Sequence, residues 1–546
     1  MTMAGGGGAA AAANAKKKKK MGEEKLIIMS EKVRFIDILS LLLLRRPITS
    51  YHFVDAGDAT AAAAGELGST PGEWLVALTE IIQKALAAAY YPAKYLGAAV
   101  EFFLNFVSLN GGVIGILWNI VRFKLVIPLN REAPNFRSMI AMIDGRTELK
   151  PMKPAATAGV EDDDLESGGC AAAGVPLIRR HLVDGEHLLA EQYSISEVTV
   201  MASKIAYENA AYIENVVNNV WKFNFVGFYS CWNRSTNLVV AGNGGCGAEF
   251  IGSETTQAFV MTERATDAAA IVVAFRGTEP FNMQDWSTDV NLSWLGMAAM
   301  GHVHVGFLKA LGLQEVDAKD AARAFPREPP AAAALVGRSF AYYKLRDVLR
   351  DQLRRHPNAR VVVTGHSLGG ALAAAFPALL AFHGEADVVS RIAAVHTYGQ
   401  PRVGDATFAG FLAANAATPV AFQRVVYRYD IVPRVPFDVP PVADFRHGGT
   451  CVYYDGWYAG RTLAAGEDAP NKNYFNPKYI VSMYGNAWGD LFKAMFLWAK
   501  EGKDYREGPV SIVYRAAGLL FPGLASHSPR DYVDAIRLGH VAPKEA

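Results

Sequence analysis

A serine set among glycines, Gly365-His366-Ser367-Leu368-Gly369-Gly370, follows the apolar run Arg360 to Thr364 and opens the Ala/Leu-rich run Ala371 to Phe376. Strand, tight turn and helix in that order put a hydroxyl on a strained corner, where side chains at the glycine positions would collide with the adjoining strand and helix. The helix that follows aims free N–H groups and its dipole at the same spot, which suits the negative charge that develops in acyl transfer. A serine hydroxyl is a weak nucleophile, so this chemistry also needs a histidine within hydrogen-bond reach and a carboxylate to orient it. The chain order expected for such a turn is serine, acid, histidine.

Downstream carboxylates include Asp387, Asp405, Asp430, Asp438 and Asp444, and the histidines after Asp430 are His447, His527 and His540. Asp430 is favoured because it directly follows the strand-like run Phe422 to Tyr429, and parallel sheets carry functional loops at strand ends. An ordinary loop aspartate fits that position equally well. Asp405, in Gly404-Asp405-Ala406, reads as a helix N-cap. His527 lies in Ala525-Ser526-His527-Ser528-Pro529, a loop leading into a helix at Asp531 to Leu538, and suits a base delivered from a loop. His447, before Gly448-Gly449, stays open as a base or a structural residue. His366 is too close to its neighbour's hydroxyl to act on it. Oxyanion donors are sought at Leu368 and at Thr278, which follows the run Ala268 to Phe275.

The elements that must hold these groups alternate. Helical patterns separate the short runs Ala268–Phe275, Ala359–Thr364, Ile392–Tyr398 and Phe422–Tyr429, so the fold class is α/β, a mostly parallel sheet covered on both faces. At 546 residues the chain exceeds one ordinary core. The α/β body is assigned to 194–546. Residues 1–72 read as a low-complexity, basic and partly disordered region containing Lys16 to Lys20 and a short apolar stretch, Ile38 to Leu44, suited to docking on protein or a membrane surface. Residues 73–130 read as an apolar anchoring region: an amphipathic helix Trp74–Tyr91, then Tyr95–Val121, whose only formal charge is Glu101. That second run exceeds the roughly 20 apolar residues a bilayer requires, and Asn110-Gly111-Gly112 within it favours a hairpin as much as a straight span. Residues 131–193, with the acidic run Glu161 to Asp164, read as a solvated linker.

Lys+Arg 54 against Asp+Glu 53 leaves no whole-molecule field to gather polyanions, so nucleic acid is not an expected partner. Cys170, Cys231, Cys246 and Cys451 form no CxxC pair, which argues against zinc and against a disulfide framework, with a Cys231–Cys246 bridge left open. The N-terminus lacks the apolar core and cleavage site of a secretory leader.

Together these residues resemble the class 3 lipase family, α/β-hydrolases related to fungal triacylglycerol lipases. The matching pieces are Phe275-Arg276-Gly277-Thr278, His304-Val305-Gly306-Phe307, Gly365 to Gly370, Tyr398-Gly399-Gln400-Pro401-Arg402-Val403-Gly404, Asp430-Ile431-Val432-Pro433, and His527-Ser528-Pro529 with Tyr532. The resemblance implies an α/β-hydrolase fold, a triad of Ser367, Asp430 and His527, and oxyanion donors Thr278 and Leu368, with no metal or other cofactor. It also implies a lid at about 280–292 in which Phe281, Met283 and Trp286 alternate with Asp285 and Asp289 as an amphipathic flap. The long interval from Asp430 to His527, with an inserted segment at about 474–508, departs from the family pattern. The apolar N-terminal region is absent from the secreted fungal enzymes and resembles plant oil-body and membrane-associated triacylglycerol lipases. The implied substrate is triacylglycerol, or a phospho- or galactolipid cleaved by the same chemistry. The implied address is a lipid-droplet or membrane surface, the catalytic domain facing the cytosol. A catalytically inactive lipid-surface scaffold is the rival.

Overall fold

A computed structural model describes residues 24–44, 46–58, 60–62, 72–151, 193–233, 253–318, 320–329, 338–416, 422–440, 442–464 and 467–541. The lysine run, the Glu161–Asp164 run, Cys170 and Cys246 lie outside them. Cys231 is a buried free thiol, which burial raises to about 11.

The β-branched runs become the centre of one sheet. The strands in chain order are β1 (Lys25–Ile28), β2 (Val54–Ala56), β3 (Asn224–Asn233), β4 (Ser253–Thr262), β5 (Ala270–Phe275), β6 (Trp294–Gly296), β7 (His302–His304), β8 (Arg360–His366), β9 (Ile392–Tyr398), β10 (Phe422–Tyr427), β11 (Thr450–Gly456), β12 (Ala459–Thr462) and β13 (His540–Val541). The large sheet has the order β13-β12-β11-β10-β9-β8-β5-β4-β3. Strands β5, β8, β9, β10 and β11 run parallel, and β4 and β3 continue antiparallel. Val361 and Val363 of β8 enter the core on one face and Val362 the core on the other, the two-sided burial that makes central strands apolar throughout. This is the α/β-hydrolase fold.

The helices include α1 (Phe35–Leu43), α2 (Glu73–Leu109), α3 (Gly112–Val121), α4 (Met139–Ile143), α5 (Ile195–Ile205), α6 (Met283–Val290), α7 (Leu368–Phe382), α8 (Ala406–Asn415), α9 (Ile480–Glu501), α10 (Pro509–Gly518) and α11 (Pro529–Leu538). Asp405 caps α8, its carboxylate accepting from Phe408 N at 2.8 Å.

Three expectations about the first 193 residues need correction. The described stretches 24–44 and 46–57 are folded onto the body: β1 pairs with β6, and β2-β1-β6-β7 form a second, antiparallel sheet. Its core joins Leu26, Ile38, Leu41, Leu75 and Val76 to Phe437 and Phe445 of the body. The Ile38–Leu44 stretch therefore docks on protein through Ile38 and Leu41, while Phe35 and Leu43 of α1 are each 74% exposed. Residues 131–150 are no solvated linker. Asp144, 1% exposed, pairs with Arg146 at 2.8 Å, Lys204 of α5 at 3.3 Å and Arg530 of α11 at 3.5 Å, and Arg146 reaches Asp534 at 2.6 Å. Removing one partner of so buried a set costs about 3–5 kcal/mol.

Finally, α2 runs unbroken through Pro92 for 37 residues, where the amphipathic and apolar runs were expected to be separate. Pro92 removes one backbone hydrogen bond; buried Leu75 and Val76 before it and Asn105 after it hold both halves in place. Among the described residues no single helix is long and apolar enough to cross a membrane, but α2 and α3, bent by 71°, qualify as a pair. Asn110 makes the bend: Nδ2 donates to Phe106 O and Val126 O, both at 2.8 Å, and Oδ1 accepts from Val126 N at 3.0 Å. Gly111 at φ +77° and Gly112 at φ +83° turn the chain between them.

Candidate active site

The candidate residues gather at the carboxyl ends of the parallel strands, where open sheets of this class bind ligands. Ser367 ends β8 and starts α7 with φ 60° and ψ −133°, a left-handed corner unusual for a residue with a side chain. The corner is tight because Gly365 and Gly369 touch backbone: a Cβ at Gly365 would lie 2.2 Å from the Gly369 carbonyl, and one at Gly369 would lie 2.3 Å from Phe275 O. Leu368, the next residue, opens α7, and the first N–H groups of a helix have no partner within it.

Asp430 follows β10 and is fully buried. Its Oδ2 meets His527 Nδ1 at 2.7 Å and accepts from the Tyr532 hydroxyl, and its Oδ1 accepts from Val432 N at 2.8 Å. This orients the imidazole, with Nδ1 toward the carboxylate and Nε2 on the opposite side of the ring. Ser367 Oγ and His527 Nε2 are both buried without a hydrogen-bond partner, so the two atoms a proton would pass between are the two left unpaired. Gly399, at φ +59°, leaves room for the pair: a Cβ there would sit 2.8 Å from His527 Cε1 and 2.9 Å from Asp430 Oδ2. Gly399→Ala is therefore expected to lower kcat on a soluble ester by up to about a hundredfold, the size of loss that a displacement of about an ångström can cause.

Thr278, at the end of the β5 loop, donates its hydroxyl to Asp289 Oδ2 at 3.0 Å. Asp289 belongs to α6, the candidate lid. Trp286 of the same helix lies against His527, ring centroids 6.1 Å apart. Helix α2 covers the lid: Gln83 Nε2 donates to Ser287 O at 2.7 Å, and Gly97 is close enough to Phe281 that a Cβ would meet its ring at 2.7 Å. Met283 opens α6.

The family model for Lipase (class 3) matches residues 272–439. A triacylglycerol lipase OBL1 from Nicotiana tabacum is 36% identical over 85% of this chain and 83% of its own length. The chain belongs to the class 3 lipase family. A triacylglycerol lipase OBL1 from Ricinus communis is 33% identical over 94% of both chains. Among solved structures, lipase II from Rhizopus niveus aligns with a TM-score of 0.32 at 21% identity, over 51% of this chain and 87% of that one.

In this class 3 chain His447 and His366 each bond to other parts of the body. His447 Nε2 bonds Pro433 O at 2.7 Å, and burial holds its ring well below the ordinary histidine range. His366 joins Tyr207 to the His527 loop, Nδ1 meeting the Tyr207 hydroxyl at 2.7 Å and Nε2 meeting His527 O at 3.1 Å. Sequence reasoning missed Tyr207, for which no local pattern exists, and Arg434, whose guanidinium donates to the carbonyls of Asp430 and Arg428.

The lid acids also need correction. Asp285 and Asp289 were expected on the wet side of a flap, but they are 3% and 0% exposed, because α2 lies on the outside of α6. Burial pushes Asp285 up to about 7, with Arg276 opposing and Glu279 adding to the shift; Asn282 donates to its Oδ2 at 2.8 Å. Burial, then the neighbouring Asp285, raises Asp289 well above the carboxylate range. A raised carboxyl favours the packed lid fully below about 3.8, and that advantage is lost as pH climbs from there to about 7. Lid opening, followed by hydrogen exchange in 283–290 corrected for its intrinsic pH dependence, is expected to increase from pH 5 to pH 8. Asp285→Asn should reduce that increase, and Asp285→Asn/Asp289→Asn should remove most of it.

Proposed function

We propose that the chain is a triacylglycerol lipase acting at a lipid-droplet or membrane surface. Ser367 Oγ attacks the acyl carbonyl while His527 Nε2 takes its proton, and Asp430 stabilises the imidazolium. The backbone N–H groups of Thr278 and Leu368 receive the tetrahedral oxyanion. His527 then protonates the departing glyceride oxygen, and water, activated by the same base, releases the fatty acid from the acyl-enzyme. The observation that carries the reading is the 2.7 Å His527–Asp430 pair, with His527 Nε2 and the buried Ser367 hydroxyl both left without a hydrogen-bond partner. The surface address is supported by α3, where Ile114, Leu117 and Trp118 are 83%, 62% and 59% exposed. A patch of that kind needs an apolar neighbour.

The test is fatty-acid release by the purified chain from emulsified triacylglycerol, phospholipid and galactolipid in parallel. Preference for triacylglycerol supports the reading, preference for a polar lipid replaces the substrate, and no release from any supports a scaffold. Because Leu75 and Val76 are buried, the anchor is best tested with Leu117→Asp and Trp118→Asp rather than by deleting α2. Full retention on lipid droplets would exclude α3 as an anchor.

A further inference from the structure

The segment that departs from the family pattern, 474–508, is built inside out. Helix α9 turns Met483, Ala487, Asp490, Lys493 and Ala494 inward. Asp490 pairs there with Arg428 at 3.0 Å and with Lys493 at 2.9 Å. The outward stripe is apolar: Val481, Trp488, Phe492 and Phe496 are 84%, 51%, 54% and 64% exposed. A helix facing water has the opposite arrangement. The stripe continues beyond α10 in Leu520 and Phe521, 72% and 64% exposed. Exposed basic residues stand at the rims, Lys478 before α9 and Lys500, Lys503 and Arg506 at its far end, where they outnumber the interleaved Glu501 and Asp504. An apolar stripe with aromatic rings and a basic rim is the composition of a helix lying in a lipid interface.

This face is joined to the candidate active site by short links. Gly523 N donates to the Tyr474 hydroxyl at 2.9 Å, and Gly523 O accepts at 3.2 Å from Ile431, the neighbour of Asp430. His527 lies only four residues beyond Gly523. At the other end, Phe475 packs edge-on against Trp74 of α2, centroids 5.9 Å apart, so the two exposed apolar elements start from one contact.

We propose that α9 and the Leu520–Phe521 turn form a second lipid-docking face whose occupant is the phospholipid monolayer coating the ester substrate. The proposal rests on the lipid-surface reading above and gives the inserted segment its role: with α2 and α3 on the other side, it seats the His527 loop against the interface. Basic rims match anionic headgroups, and the buried ion pair keeps charge out of the apolar stripe.

The test compares full-length wild type with the double variant Val481→Asp/Phe496→Asp in flotation with triolein droplets coated in phosphatidylcholine and phosphatidylserine. Hydrolysis of the droplets and of a soluble short-chain ester is measured alongside. The expected result is a loss of at least about tenfold in droplet binding and droplet hydrolysis, with the soluble-ester rate unchanged. Droplet binding within about twofold of wild type overturns the proposal, as does a soluble wild-type dimer that the variant converts to monomer, which would assign the face to a second copy. If the soluble-ester rate also falls, Trp488→Ser alone decides, with unchanged droplet binding counting against the face. Wild type that neither floats nor cleaves triolein overturns the lipid-surface reading as well, so the two failures are distinct.

Discussion

Ser367→Ala is expected to lower the hydrolysis of emulsified triacylglycerol by at least about ten-thousand-fold, because the Oγ that would carry the acyl group is gone. Binding to lipid droplets should be unchanged, since the exposed apolar residues of α2, α3 and α9 are untouched. Stability should be close to wild type or slightly higher: Ser367 Oγ is a buried hydroxyl with no partner, and removing an unsatisfied polar atom relieves a desolvation cost of about 1–3 kcal/mol. The residual rate, from oxyanion donors and binding alone, should appear equally on soluble ester. A small loss, within about tenfold, would mean that another group performs the attack.

The second large effect separates two histidines. His527→Ala should lose about as much activity as Ser367→Ala, and the double variant should lose little more, as expected of groups working in one step. His447→Ala should keep kcat on soluble ester within a few-fold and instead lower Tm, because it abandons the Pro433 carbonyl that His447 Nε2 satisfies at 2.7 Å and so costs about 1–3 kcal/mol. The reverse pattern, activity lost only in His447→Ala, would move the base to the Arg402–Arg424 side of the body, where His447 sits.

Both expectations were within reach of the sequence, and the reason is local. Strands β8, β9 and β10 are buried on both faces, so they spell apolar runs, and Ser367 can be read from its place after β8, while the choice of Asp430 after β10 also needed the family resemblance. The Asp405 cap is local too, reaching only three residues ahead. What escaped depends on partners far away in the chain. Pairing of Leu26 with Trp294 orders the N-terminal strands, and nothing near Leu26 announces it. Asp285 and Asp289 read as wet because their own helix is amphipathic; only the packing of α2, two hundred residues earlier, makes them buried. The 131–150 stretch looks like linker because the partners of its Asp144 and Arg146 lie at Arg530 and Asp534. Helix α9 lies in the inserted segment at about 474–508 that the sequence marks, but its inverted face required knowing that Arg428 stands behind Asp490.

The most direct measurement of the central claim is covalent trapping. A lipophilic alkylphosphonate ester should modify the full-length protein once, and mass mapping should put the adduct on the peptide containing Ser367. Labelling should vanish in Ser367→Ala and slow strongly in His527→Ala, since the base that activates Oγ is then missing. Modification at a different residue, or undiminished labelling of Ser367→Ala, would contradict the account.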